Sequence, residues 1–202
     1  IRGNKSEKDR VRGYIVVTAD KGLAGAYNHN VLKLAELINN IHERHHLIHH
    51  RQHLRIEIDN LEAFDIVSKM LREKTVHEIS FMDHTPGQGQ YRNIETYRKT
   101  ITAYHGETVT TLGFEGVLEH HKNKRTLSFE QLHELAELAR ANGIPAASHD
   151  DDTAAKLQVN KELGVAISEF PITIDVARQA QQLGLATVVG APNILLGGSH
   201  TG

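Results

Sequence analysis

"NGIPAASHDDDT", residues 142–153, decides the fold. Asn142 and Gly143 end an amphipathic helical pattern, a short apolar run follows from 144 to 147, and His149 with three aspartates opens the next helix. Glycine takes a positive φ without a Cβ clash, so a helix can stop there and turn straight into a strand. The same order returns in "LGVAISE" (163–169) and "LGLATVV" (183–189), where Gly164 and Gly184 each close a helix and launch a strand. A repeated helix stop followed by a β-rich run is the pattern of βα units feeding a parallel sheet.

Outward from this module, β-rich runs at 14–18, 54–58, 78–82, 144–147, 165–169 and 186–190 give six expected strands. Ser128 and Gln131 have capping-box spacing, and Leu132, Leu135, Ala136 and Ala139 then share one stripe. Leu61, Phe64, Val67, Met70 and Leu71 trace a second apolar face. Between 86 and 125 the spacing is broken by a long polar stretch with helical pieces, expected as an insertion on one loop of the sheet. A closed (β/α)8 barrel takes about 250 residues. About six parallel strands therefore fit an open sheet or an incomplete barrel, and pattern alone leaves both open within the α/β class.

The composition is that of an ordinary globular protein: 202 residues, 39% hydrophobic, 24% charged, net charge -2. No basic block announces nucleic acid, so an anionic ligand would need local positive charge. No apolar run is long enough to span a bilayer, and the opening "IRGNKSEKDR" lacks a leader-type apolar region, so no membrane and a cytoplasmic setting are expected. With no cysteine and fifteen histidines, any metal must be held by His, carboxylate, carbonyl or water. The chain starts at Ile1 and stops in "GGSHTG", and a fragment is expected.

In parallel βα folds ligands sit at the C-terminal ends of the strands. Alternation in "HLRIEID" (53–59) puts His53, Arg55 and Glu57 on one face. That face is either an interior whose polar groups are paired or ligated, or the exposed side of an edge strand. In "ISFMDHTPGQGQYR" (79–92) His84 stands just past a strand, before a turn whose N–H groups could meet phosphate, or which is simply a surface turn. Asp152 is the expected helix cap, and His149 is the residue that capping does not explain. Glu169 and Asn193 end later strands, and "NILLGGSHTG" (193–202) is a donor-rich segment or a tail. The histidines of "HERHHLIHH" (42–50) spread around a helix end and read as solvated surface. Glu57, His84 and His149 at three strand ends are placed as metal hydrolases place ligands at a barrel mouth.

"SFMDHTPGQGQYRNIETYRKTI", "GIPAASHDDDT", "ISEFPIT" and "VVGAPNILLGGSHTG" together resemble the diphosphatases of phosphonate breakdown, amidohydrolase-superfamily enzymes acting on α-D-ribose 1-methylphosphonate 5-triphosphate. The likeness covers 41–202. It implies a partial TIM-type barrel of about six parallel strands, a divalent metal (Zn or Mn), a phosphorylated small-molecule substrate and release of pyrophosphate. Carried over by position, it implies Glu57, His84 and His149 as metal ligands and Asp150 and Asp151 as neighbouring catalytic carboxylates. Arg55, Gln88, Arg92, Asn193, Ser199 and His200 would then meet the substrate, with Arg55 and Arg92 supplying the local positive charge. The superfamily also takes ligands from a His-containing motif on its first strand and an Asp on its last. Neither is present, so impaired activity is expected.

"GYIVVTADKGLAGAYNHNVLKLAE" (13–36) resembles a strand, glycine loop and helix of the F-type ATP synthase γ subunit. Residues 1–40 are thus expected as a separate strand-loop-helix segment ahead of the barrel-like part, 41–202. The alternative function is a non-catalytic structural or rotor-type fragment, whose open sheet edges would favour self-association.

Overall fold

A computed structural model of the chain describes residues 33, 37–40, 51–87, 89 and 94–190, with the side chains at 96, 100, 101 and 103–112 left aside. The elements run β1 (His53–Glu57), α1 (Ala63–Arg72), β2 (Glu78–Met82), α2 (Ile94–Lys122), α3 (Phe129–Ala141), β3 (Ala146–His149), α4 (Ala154–Leu163), β4 (Ile167–Glu169), α5 (Ile174–Gln182) and β5 (Ala186–Val188). The strands form one sheet in the order β1-β2-β3-β4-β5, every neighbouring pair parallel. The α/β expectation is borne out. The expected strand at 14–18 lies outside the described residues, as does most of the proposed 1–40 segment.

The helix stops repeat one hydrogen-bond pattern. Gly143, Gly164 and Gly184 have φ of +74°, +91° and +80°. Each donates to the carbonyl three residues back, and the next residue donates five back: Ile144 to Ala139, Val165 to Asn160 and Leu185 to Ala180. This is the Schellman arrangement, which satisfies the last helical carbonyls while reversing the chain. α1 ends identically, Lys74 donating to Leu71 and Thr75 to Met70, but Lys74 takes φ +54° with a side chain. The bonds spent on these stops also delay the strands. β3 begins at Ala146 and not at 144, because Ile144 is bonded back to the helix and Pro145 has no N–H to give. β4 begins at Ile167 for the first of those reasons.

Paired residues on neighbouring strands share a face. Leu54, Ile56, Ile79, Phe81 and Ala146 lie on one face and pack with Val67 and Leu71 of α1 and Leu135, Ala136 and Ala139 of α3. Leu157, Val176, Ala180 and Leu185 continue that layer through α4 and α5. The register places His53, Arg55, Glu57, Glu78, Ser80, His149 and Glu169 on the opposite face. The sheet therefore has an apolar side under helices and a polar side.

The stretch expected as a loop insertion is helical from Ile94 to Lys122. It is not straight. Tyr97 and His121 would stand about 36 Å apart along a straight helix at 1.5 Å per residue, yet the Tyr97 hydroxyl lies 2.7 Å from His121 Nδ1. Tyr97 also packs on Phe114, and the Arg98 guanidinium covers the Phe114 ring. The segment doubles back on itself, with Gly113 at φ +69° just before Phe114. No helix among the described residues is long and apolar enough to cross a membrane.

Asp151 is fully buried and ties the end of β3 to β4 and α4. Its Oδ2 accepts from Ser148 Oγ at 2.6 Å and Ser168 Oγ at 2.5 Å, and its Oδ1 accepts from Asn160 Nδ2 at 2.7 Å. Its carbonyl receives the Ile172 N–H at 2.9 Å. The helix cap expected at Asp152 is Thr153, whose hydroxyl accepts the Lys156 N–H, while Asp152 Oδ2 takes the Gly89 N–H at 3.2 Å. The extra carboxylate thus reaches a neighbouring loop instead of the helix end.

Two stability measurements check this framework by urea unfolding. Lys74→Gly relieves a side chain held at positive φ and is expected to stabilise the chain by about 1 kcal/mol. Asp151→Ala leaves three buried donors without their acceptor and is expected to cost about 3 kcal/mol or more. A neutral Asp151→Ala would mean that the carboxylate does not hold the strand ends together.

Candidate metal centre

The C-terminal ends of the strands form a polar row. Glu57 is level with Met82, Phe81 with Ser148, and His149 with Glu169, so Glu57, Met82, His149 and Glu169 stand side by side on the polar face. Glu57 is 8% exposed and is gripped from two directions. Its Oε1 accepts from Arg55 Nη2 at 3.1 Å, and its Oε2 lies 2.8 Å from His84 Nδ1. His84 follows β2 through Asp83, whose Oδ1 accepts the Thr85 N–H at 2.8 Å. That Asx-type turn fixes the direction in which the chain leaves the sheet.

His149 ends β3 with its Nδ1 3.2 Å from Asp150 Oδ1, at an angle that makes no hydrogen bond among the described residues. Its ring packs 5.0 Å from that of Phe170. Asp150 and Phe170 occupy equivalent places, one residue past β3 and β4, and both have φ +52°. Each donates its N–H to the next strand, Asp150 to Glu169 and Phe170 to Val188, extending the ladder by one bond before the chain turns. A non-glycine residue at positive φ costs on the order of 1–3 kcal/mol and concentrates at ligand sites. Here two such residues flank His149.

Lower on the same face, His53 Nε2 lies 2.8 Å from Ser80 Oγ and 3.6 Å from Glu169 Oε2. Ligand atoms of His53, Glu78 and Glu169 all lie within 4.8 Å of one another. Burial lowers the His53 pKa to about 4, helped by the neighbouring His149 ring and the Arg55 guanidinium. Burial raises the Glu169 carboxyl to about 7, with His149 opposing and Glu78 adding to the rise. Burial also raises Glu78. The short His53–Glu169 contact looks like an ion pair by distance, but these directions keep His53 neutral and Glu169 largely protonated between pH of about 4.5 and 6.5. The contact is therefore one between neutral groups.

Of the residues singled out from sequence, Arg55, Glu57 and His84 come together, and His149 stands beside Asp150. Asp151 turns its carboxylate to the helix side, where three donors occupy it. Gln88, Arg92, Asn193, Ser199 and His200 lie outside the described residues. Among the described residues, the one group of three or more His, Asp or Glu side chains gathered closely enough for a shared ion is His53, Glu78 and Glu169, not Glu57, His84 and His149. His53 and Glu169 carried a signal, as a polar residue on an alternating strand and a strand-end carboxylate. Glu78 carried none, since its pairing with His53 follows only from the β1–β2 register.

The chain is 36% identical over 155 residues, 76% of its length, to the alpha-D-ribose 1-methylphosphonate 5-triphosphate diphosphatase of Escherichia coli (strain K12), and the match spans 40% of that enzyme. A stretch of 33 residues is 67% identical to the ATP synthase gamma chain of Staphylococcus haemolyticus, covering 16% of this chain and 11% of that one. A 41-residue stretch is 54% identical to the gamma chain of Staphylococcus epidermidis, covering 20% of this chain and 14% of that one. The chain thus spans less than half the length of each curated relative. No family model and no solved structure matches it. Both resemblances carried by the motifs are borne out as sequence similarity.

The paired shifts give a pH test. His53, with its folded pKa below the ordinary histidine value of 6.5, contributes stability that grows as pH rises from about 4 to 6.5. Glu169, raised above the ordinary carboxyl value of 4.5, contributes stability that is lost as pH rises from 4.5 to about 7. The two trends oppose. Glu169→Gln removes the second, so the variant is expected to gain on the parent steadily over that range when urea midpoints are compared. A constant difference between variant and parent would contradict the burial of an ionisable Glu169.

Proposed function

We propose that the chain is a metal-dependent hydrolase of phosphorylated small molecules, part of a (β/α)8-type barrel, working in the cytoplasm and cleaving a ribose 5-triphosphate ester to release pyrophosphate. The observation that carries this reading is the polar strand-end row of Glu57, His84 and His149, on a chain 36% identical to a diphosphatase over 76% of its length.

The donor set suits a divalent metal such as Zn²⁺ or Mn²⁺. Glu57 is a buried carboxylate with more lone pairs than its two partners use. Its contact with His84 orients that imidazole, as carboxylates do for metal-bound histidines. His149 Nδ1 is buried without a hydrogen bond among the described residues. We assign Glu57, His84 and His149 as the residues that would hold the ion, which requires His149 and the Glu57–His84 pair to draw closer together than they stand. When bound, it would lower the pKa of a water and offset charge on phosphoryl oxygens.

The remaining roles belong to the chain itself. Arg55, fixed by Glu57, brings positive charge to a face whose carboxylates Glu57, Glu78 and Glu169 would otherwise repel a triphosphate. Gln88, Arg92, Asn193, Ser199 and His200 would bind phosphate oxygens. Asp150, buried next to His149, is placed to accept a proton at the reacting centre. Asp151 acts at one remove by fixing the ends of β3 and β4.

The test is pyrophosphate release from a ribose 5-triphosphate ester with added Zn²⁺ or Mn²⁺, run beside metal analysis of the purified chain. His84→Ala and His149→Ala are each expected to weaken metal binding by at least about tenfold and to lower release in step. Release that survives chelation and both substitutions would sink the reading. The match to ATP synthase gamma chains favours a second reading, a non-catalytic structural fragment. Light scattering separates the two: a metal-independent, concentration-dependent oligomer without turnover would favour the second.

A further inference from the structure

The polar face carries a second group of ligand atoms that the proposed hydrolytic centre does not use. His53 begins β1, Glu78 begins β2 beside it, and Glu169 ends β4, two strands from β2. Residues so far apart in the sheet meet because small ones lie between them. Ser80 and Ala147 are paired on this face, both fully buried, and leave the space over which the longer side chains of β1, β2 and β4 converge.

Glu169 is 6% exposed; the Ser80 hydroxyl bonds to its carboxyl, but Oε2, 3.6 Å from His53, has no hydrogen-bond partner among the described residues. An unpartnered buried carboxylate oxygen is costly. A second carboxylate, Glu78, close to it adds repulsion, which either a shared proton or a cation relieves. Oxygen ligands on a tetrahedral zinc with bonds of about 2.1 Å sit about 3.4 Å apart. The His53–Glu169 separation already matches that spacing, and the full group, within 4.8 Å, needs to close by about an ångström.

We propose that His53, Glu78 and Glu169 form a cation site of their own, separate from Glu57, His84 and His149, taking a divalent transition ion with one imidazole nitrogen and two carboxylate oxygens as protein ligands. Imidazole with carboxylates selects zinc or manganese over calcium, which takes oxygen ligands alone. An ion here clips β1 and β2 to β4 across β3, so its role is to hold the sheet. It does not depend on the chain being a hydrolase.

The probe is ZnCl₂ alone, titrated into the full chain by calorimetry, with bound zinc counted by metal analysis and thermal melts run in parallel. The parent is expected to bind two equivalents. Glu169→Gln and Glu78→Gln are each expected to lose one equivalent and the part of the zinc-induced rise in Tm that belongs to it, while keeping the equivalent lost in His84→Ala. The metal-free melt of each variant checks that it is folded, and Glu78→Gln, at the more exposed end of the group, serves if Glu169→Gln does not fold. Zinc stoichiometry and affinity unchanged in the folded variants would overturn the site. If His84→Ala alone loses zinc, this proposal fails and the hydrolytic centre stands. If only the Glu169 and Glu78 variants lose it, the reverse holds.

Discussion

The Asp151 carboxylate is the interaction on which the polar end of the sheet depends. It receives hydroxyls from β3 and β4 and an amide from α4, and its own carbonyl anchors the loop after β4. A buried charge is tolerated only when its lone pairs are filled, and here three side-chain donors fill them from the helix side. The consequence appears on the opposite side. With Ser148 and Ser168 fixed from below, their neighbours His149 and Glu169 emerge level with one another on the polar face. Asp151 thus contributes to the site by position, although its carboxylate faces away.

That division runs through the whole sheet. Leu54, Ile56, Ile79 and Phe81 face helices, and the residues between them, Arg55 and Ser80, are polar. A sheet in sequential order with most of its packed apolar residues on one side leaves the other side, where Met82 and Ala147 are the buried apolar exceptions, for whatever neutralises its polar groups. Arg55 does so for Glu57, and His84 adds a second contact. At His53 and Glu169 burial neutralises both instead, pushing their pKa values in opposite directions. Two ways of meeting one constraint therefore lie side by side, and each leaves ligand atoms that a cation would suit.

Much of this was legible in the residues. Gly143, Gly164 and Gly184 announced their helix stops because only backbone freedom was at issue, and Ser128 with Gln131 announced a capping box that is present on both sides. Lys74 makes the same turn invisibly, since its φ is imposed by the Schellman bonds and not offered by its type. Asp152 failed as a cap because Thr153, one residue on, fits the extended N-cap backbone and Asp152 has Gly89 to bind. The reversal of α2 carried no clear mark, since it shows only in contacts such as Tyr97 with Phe114. The polar face followed from alternation in "HLRIEID", but which of its members meet depended on register. His53 and Glu78 are neighbours only because β1 and β2 pair in parallel at that step, and Glu169 reaches them only across small Ala147.

The central claim is that the polar face of this sheet is a metal-binding surface. The most direct measurement is anomalous diffraction at the zinc edge from crystals of the chain grown with zinc. The account predicts anomalous density on the polar face, against Glu57, His84 and His149 or against His53, Glu78 and Glu169. Density confined to histidines away from that face, such as the half-buried His133 of α3, with none on the polar face, would contradict it.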